Sequence, residues 1–322
     1  MRMNRLGNSD LVVSAVGAGT WAMGGDFFGA IDDKKCIDSL CASLDHGVNL
    51  IDTAPIYGKG HSETLVGQAI KGRRDKVVLC TKVGLLFDDP KGRQGKCLQP
   101  DAIEYEIEQS LRRLGTDYID LYQIHWPDVN TPIEETMEAL DSLVRAGKVR
   151  ALGASAMYGY QFFNMQLAAR DNGWTPFVSM QNHYNLLYRE DERELIPICT
   201  QQNVARTPYS PLAAGRLSRL EWDADTKRSR TDKTAVSKYD STRESDYGIV
   251  LRVHELAQKH AATMTQISLA WQFARGVASP IIGATKARYL DDAAGALDVR
   301  LSAEDVAYLE ELYVPHRVVG AL

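Results

Sequence analysis

Eight short apolar runs separated by one-sided helical patterns constrain this chain more than any other feature. They are Ala15 to Ala18, Val48 to Ile51, Val77 to Cys80, Ile119 to Ile124, Val149 to Leu152, Phe177 to Met180, Val204 to Arg206 and Pro280 to Ile282. Runs this short suit buried strands. Between them, apolar residues recur at helical spacing: Cys36, Ile37, Leu40, Cys41 and Leu44; Ile103, Ile107, Leu111 and Leu114; Ile133, Met137, Leu140 and Val144. The last set has start and stop signals, with Thr131 as cap, Pro132 at the first helical position, Glu134 returning a bond to the cap, and Gly147 as the stop. Alternating strands and helices imply parallel pairing, because antiparallel hairpins need no helical crossover.

Two parallel architectures compete. A doubly wound sheet wants a phosphate loop after its first strand, and Gly17, Gly19 and Ala22 match G-x-G-x-x-A. Residues Met23 to Phe27 do not open a helix, however, and no acidic residue closes the next strand at the expected offset. A closed (β/α)8 TIM barrel fits the 322 residues, since that fold takes roughly 250 residues plus insertions. The expected organisation is one domain over 1–322. An N-terminal β-hairpin covers residues 1 to 14, turning at Gly7 to Asp10. Two long irregular loops, Leu85 to Gln99 and Ser218 to Glu244, rim the C-terminal face of the strands.

Composition narrows the function. A net charge of -5 argues against a surface built mainly for nucleic acid. Five widely spaced cysteines, Cys36, Cys41, Cys80, Cys97 and Cys199, contain no C-x-x-C pair. They suit reduced thiols, with neither a disulfide framework nor a metal site. Arg2 and Arg5 precede the apolar "LVVSAVGA", but Gly7, Asn8, Ser9 and Asp10 interrupt any signal-peptide core. No stretch approaches the about 18 apolar residues of a membrane span. A cytoplasmic protein without a membrane partner is expected, as monomer or homo-oligomer.

Four polar residues sit at or just beyond strand ends: Asp52 and Tyr57 in "IDTAPIYG", Lys82 in "CTKVG", and His125 in "YQIHWPD". Each alone has an ordinary explanation as a turn, wall, ion-pair or core residue. Together they form a proton-transfer set. An ammonium in a barrel mouth needs a carboxylate, and Asp52 is available. An adjacent ammonium also makes a phenol easier to ionise. Such a phenol can protonate an oxygen becoming an alkoxide, while a neutral imidazole orients that oxygen. Carbonyl reduction or its reverse follows, with hydride from a cofactor. A retaining glycosidase would need two carboxylates about 5 to 5.5 Å apart, and none pair by pattern at strand ends four and seven. A metal hydrolase would need clustered ligands, whereas His125 and His183 are isolated by pattern.

The chain resembles the aldo-keto reductases, in a branch similar to bacterial-type members and potassium-channel β-subunits. The resemblance is carried by "NLIDTAPIYG", "GHSETLVGQAI", "VVLCTKVG", "SLRRLGTDYIDLYQIHWPD", "TPIEETMEALDSLVRAGKVRALGAS", "YNLLYRE" and "YSPLAAGRL", in family order. It implies a (β/α)8 barrel, NADPH/NADP+ as cofactor, a catalytic tetrad of Asp52, Tyr57, Lys82 and His125, Tyr57 as general acid, and no metal. It also implies that Ser155 and Gln181 bind the nicotinamide amide, that Tyr209 stacks on the nicotinamide ring, and that Thr20 and Trp21, with Asp52 nearby, line the ribose side.

Barrels often hold phosphate with the loops after strands seven and eight. Here these supply Tyr209, Ser210, Pro211, Leu212, Gly215 and Leu217, then Gly283, Thr285, Lys286, Tyr289 and Asp292. Lys286 and Arg288 suit the 2′-phosphate that distinguishes NADP from NAD. Three departures from the family concern the cofactor: Ala156 stands where Asn is common, Ala293 replaces an Asn, and Tyr289 replaces a Gln and could stack on adenine. Trp21, Phe27, Phe28, Leu85 and Trp126 are the candidate apolar funnel for a small carbonyl substrate. A barrel that binds the nucleotide but regulates a partner is the alternative from another class.

Overall fold

In the computed structural model, which describes residues 1–25, 32–222 and 232–318, all eight apolar runs become strands of one parallel sheet. In chain order the strands are β1 (Met3–Arg5), β2 (Val12–Ser14), β3 (Gly17–Gly19), β4 (Leu50–Asp52), β5 (Val78–Val83), β6 (Leu85–Leu86), β7 (Gly95–Lys96), β8 (Ile119–Ile124), β9 (Val149–Ser155), β10 (Phe177–Gln181), β11 (Ala205–Arg206) and β12 (Ile281–Gly283). The sheet runs β12-β3-β4-β5-β8-β9-β10-β11, which is barrel order. Across the remaining seam, the Ile281 N–H donates to Pro208 O at 3.0 Å and the Ala278 N–H to Arg206 O at 3.0 Å. Helices Asp33–Asp45, Pro100–Leu114 and Ile133–Arg145 occupy the periodic segments. Among the described residues, no helix is long and apolar enough to cross a membrane.

The sheet's period of two explains the interior. At one end Leu50, Val78, Leu121 and Ala151 form an apolar floor, joined by Leu6, Leu11 and Val13. Hairpin β1–β2 therefore plugs the barrel. Two and four positions further along the same strands come Asp52, Cys80 and Lys82, Gln123, Gly153 and Ser155. Each strand thus turns from apolar to polar as it approaches its C-terminal end, and the register places Asp52 beside Cys80, Lys82 beside Gln123, and Gln181 beside Ser155.

Several boundaries differ from the pattern-based expectation. Strands β5 and β9 extend to Val83 and Ser155, so Lys82 and Ser155 lie within the sheet, where neighbouring strands satisfy their backbone groups. The helix expected to start at Pro132 begins at Ile133, with Pro132 as an uncapped N-cap residue. Thr131 does not cap it, because its hydroxyl donates to Asp128 Oδ2 at 2.6 Å. Gly147 does end that segment, at φ +74°. The first long loop contains the small hairpin β6–β7. The second contains helix Lys233–Tyr239, a turn at Asp240–Thr242 and the start of helix Arg243–Lys259. Its residues 223–231 lie outside the described residues, as do Phe27 and Phe28.

Leu6 is fully buried in the plugged floor. Leu6→Ala is expected to cost about 2–5 kcal/mol of unfolding free energy, measured by urea denaturation, and to leave the mouth of the barrel intact. A loss below about 0.5 kcal/mol, the ordinary range of a surface change, would show that the hairpin is not part of the core.

Candidate active site

The mouth is organised by a buried ion pair. Lys82 Nζ lies 2.8 Å from Asp52 Oδ1 and 2.9 Å from Oδ2. It also donates to Thr53 O at 3.0 Å and approaches Tyr57 Oη at 3.2 Å. Lys82 is wholly buried and Asp52 nearly so. Parallel strands fix both backbones, while the short turn after β4 carries Tyr57 back over the ammonium. Gly60 N donates to Pro55 O at 2.7 Å in that turn, and Ser62 N to Tyr57 O at 3.2 Å. Gly58 adopts φ +61° and packs against Gly24, where a Cβ would meet Gly24 O at 2.3 Å. That contact pins the Tyr57 turn to the Trp21–Gly24 turn.

His125 follows β8, with its N–H donating to Val83 O at 2.9 Å. Its ring meets Tyr57 edge-on, with centroids 5.8 Å apart, and stacks on Trp126 at 4.6 Å. All four predicted tetrad residues are therefore brought together. Burial, reinforced by the Lys82 charge, holds the imidazole well below its ordinary pKa, so it is neutral. Burial works against the Lys82 charge, but Asp52, with Tyr57 and Cys80, outweighs it and holds the ammonium above its usual range. For Tyr57 the simple expectation fails. Lys82 does favour phenolate, but burial outweighs it and pushes the phenol up to about 12. The side chain is a protonated donor throughout the neutral range.

Two residues in this group escaped the motif reading. Cys80 Sγ and Gln123 Nε2 each lie 3.5 Å from Asp52 Oδ1, and Gln123 Nε2 is 2.7 Å from Cys80 Sγ. The period of two was their signal: Cys80 precedes Lys82 by two positions, and Gln123 precedes His125 by two.

The residues expected to hold a cofactor divide into groups. Ser155 and Gln181 are buried at adjacent strand ends. The Ser155 hydroxyl makes no hydrogen bond among the described residues, and Gln181 Nε2 donates to Asp52 Oδ1 at 2.8 Å. Tyr209 is half-buried, stacked on His183 at 5.3 Å, with Lys238 Nζ 4.7 Å from its ring centroid. Burial, partly opposed by Asp232, lowers Lys238 to about 8, and motif reading had not singled this lysine out. Beyond Tyr209, Ser210, Ala213, Ala214 and Gly215 all have positive φ. Such local strain is found where a loop is shaped around a ligand. Ser210, Leu212 and Gly215 are half-buried and Pro211 is buried.

Other candidates have partners within the protein. The Thr20 hydroxyl is fully buried, donating to Asp52 O at 3.0 Å and accepting from Ser62 Oγ at 2.7 Å. Leu217 is fully buried among Ile249, Val250 and Trp271. Asp292 accepts from Thr263 Oγ1 at 2.9 Å. Gly283, Lys286 and Tyr289 are exposed and Thr285 is half-buried. A Cβ at Gly283 would meet nothing within 4 Å. Lys286 and Arg288 both flank the Tyr289 ring, at 5.6 and 5.4 Å. Ala156 sits at φ +46°, a conformation in which Asn is favoured over Ala. Trp21, Leu85 and Trp126 are half-buried around the mouth. A hydroxyl not engaged by the described residues, an amide with a free oxygen, an aromatic face and an exposed basic edge together fit a nicotinamide dinucleotide.

Known proteins are similar to this chain in sequence and fold. The aldo/keto reductase family pattern matches residues 15–314. Aldo-keto reductase AMT2 of Alternaria alternata is 40% identical over 335 residues, covering 96% of this chain and 90% of that protein. Versiconal hemiacetal acetate reductase of Aspergillus parasiticus is 37% identical over 340 residues, covering 99% and 98%. The crystal structure of a thermostable aldo-keto reductase, Tm1743, bound to the inhibitor epalrestat, superposes with a TM-score of 0.75 at 31% identity, covering 97% of this chain and all of that one. The chain belongs to the aldo/keto reductase family.

One buried acid lies just behind the mouth. Glu106 accepts the Gly84 N–H at 2.7 Å, and burial raises its pKa to about 8, against the pull of that N–H. An unfolded Glu titrates near about 4.3. Between these values the folded chain binds the extra proton, so this group makes stability fall as pH rises. Glu106→Gln, which keeps an acceptor for Gly84, is expected to weaken that fall. Urea midpoints of both proteins at about pH 5 and about pH 8 would read it, and an identical pH difference in the two would exclude Glu106 as the source.

Proposed function

We propose that this chain, as one catalytic domain, is an NADPH-dependent reductase of small aldehydes or ketones. The observation that carries this reading is the single Lys82 ammonium hydrogen-bonded to both the Asp52 carboxylate and the Tyr57 hydroxyl. Carbonyl reduction is the family's chemistry, and its members generally take NAD(P)H. The reduced dinucleotide, when bound, supplies the hydride.

The residues supply the rest. Tyr57 Oη donates its proton to the carbonyl oxygen as that oxygen gains charge. Lys82, charged and 3.2 Å away, stabilises the phenolate left behind, against the burial that disfavours it. Asp52 holds Lys82 charged and aimed. Neutral His125 offers a hydrogen bond to the same oxygen without competing as an acid. Trp21, Leu85 and Trp126 exclude water around it. Ser155 and Gln181 orient the carboxamide, Tyr209 the ring, the Ser210–Gly215 loop the phosphates, and Lys286 with Arg288 the 2′-phosphate. The relative named for reducing versiconal hemiacetal acetate supports a substrate at the carbonyl level of oxidation.

Tyr57→Phe is expected to leave NADPH binding nearly unchanged and to lower turnover about 10²-fold or more. Loss of reduced-nicotinamide absorbance with a panel of aliphatic, dicarbonyl and aromatic aldehydes measures it, and full activity in the variant would remove Tyr57 from its role. Neutralising Lys286 and Arg288 together is expected to weaken NADPH by about tenfold or more, as loss of charge-assisted phosphate bonds implies, with NADH little affected. Equal losses for both dinucleotides would rule out 2′-phosphate recognition there.

A further inference from the structure

Gln181 makes a contact that a cofactor role alone does not require. Its Nε2 donates to Asp52 Oδ1 at 2.8 Å. The orientation is forced, because an amide oxygen cannot face a carboxylate. Oε1 therefore points elsewhere and accepts no hydrogen bond among the described residues. On the other side of Asp52, Lys82 has three hydrogens and reaches Asp52 Oδ1 and Oδ2, Thr53 O and Tyr57 Oη, of which Tyr57 is the most distant at 3.2 Å. Tyr57 is thus the partner that Lys82 would surrender first.

We propose that Gln181 is a positioning residue for proton transfer: by sharing Asp52 Oδ1 it moderates that carboxylate's hold on Lys82 and leaves an ammonium hydrogen for Tyr57. The inference rests on the proposed roles of Tyr57 and Lys82. It also ties the nicotinamide pocket to the proton donor, since one amide faces both. A ligand donor at Oε1 polarises the amide and strengthens its bond to Asp52. The titratable groups facing Asp52 are Lys82 and Cys80 on β5, Tyr57 on the turn after β4 and His125 after β8. Next to Gln181 in the chain, the Asn182 side-chain amide donates to Asp191.

The test uses Gln181→Leu and Gln181→Glu. A glutamic acid donates to Asp52 only while protonated. With NADPH saturating, Gln181→Leu is expected to lower kcat about tenfold, part of the about 10²-fold available from the general acid. Gln181→Glu should be equally slow at high pH and recover as pH falls. In the cofactor-free enzyme, the ¹³Cζ resonance of Tyr57, assigned by its loss in Tyr57→Phe, should move in Gln181→Leu. A purely cofactor-binding role predicts a higher Kd for NADPH, read by protein fluorescence, with kcat within about twofold, no recovery at low pH and an unmoved Tyr57 resonance. That result would overturn the proposal. Full turnover by Tyr57→Phe would instead defeat the underlying reading, so the two failures are distinct.

Discussion

Everything in the mouth of this barrel depends on the ion pair between Lys82 and Asp52. Two charges removed from water carry a heavy desolvation cost, which close geometry and further hydrogen bonds must offset. Here Asp52 accepts from Lys82 and Gln181, while Lys82 also donates to Thr53 O and Tyr57 Oη. Breaking the pair would leave an uncompensated charge in the barrel, so the scaffold's stability and its chemistry share one contact. The Lys82 charge also sets the character of its neighbours, adding to the burial that keeps His125 neutral and opposing the burial that keeps Tyr57 protonated.

The barrel makes such a pair tolerable by grading its interior. Hairpin β1–β2 seals one end with Leu6, Leu11 and Val13 against apolar strand residues. Two positions further along those strands the side chains become more polar, and two further stand Lys82, His125 and Ser155. Because sheet register is locked by backbone bonds, Asp52, Lys82, Gln123 and Gln181 are held without long flexible supports. The loops beyond the strands vary more. The Ser210–Gly215 stretch holds several positive-φ residues, and the helix Lys233–Tyr239 folds back so that Tyr239 Oη meets His183 Nε2 at 2.7 Å.

Much of this was legible in residue patterns. All eight strands, the hairpin and the one-sided helices were, because buried strands must be apolar and amphipathic helices periodic. The four tetrad residues were legible because each lies at or a few residues beyond the end of an apolar run. Helix starts were less so: Thr131 has the right chemistry for a cap, but Asp128 is a nearer acceptor for its hydroxyl. What Thr20 and Leu217 touch within the protein was not legible either: the Thr20 hydroxyl meets Asp52 O and Ser62, and Leu217 packs in the core.

The amino-acid order by itself determined the barrel, the order of its strands and the four groups that meet at its mouth, since these follow from local polarity and period. Only the tertiary structure decided how those groups share protons. The balance of burial against charge at Tyr57, the choice of Asp52 as partner for Gln181, and the approach of Cys80 and Gln123 beneath it arise between residues far apart in the chain. Electrostatics of that kind depends on distance and exclusion of water, which strand pairing and closure of the barrel create.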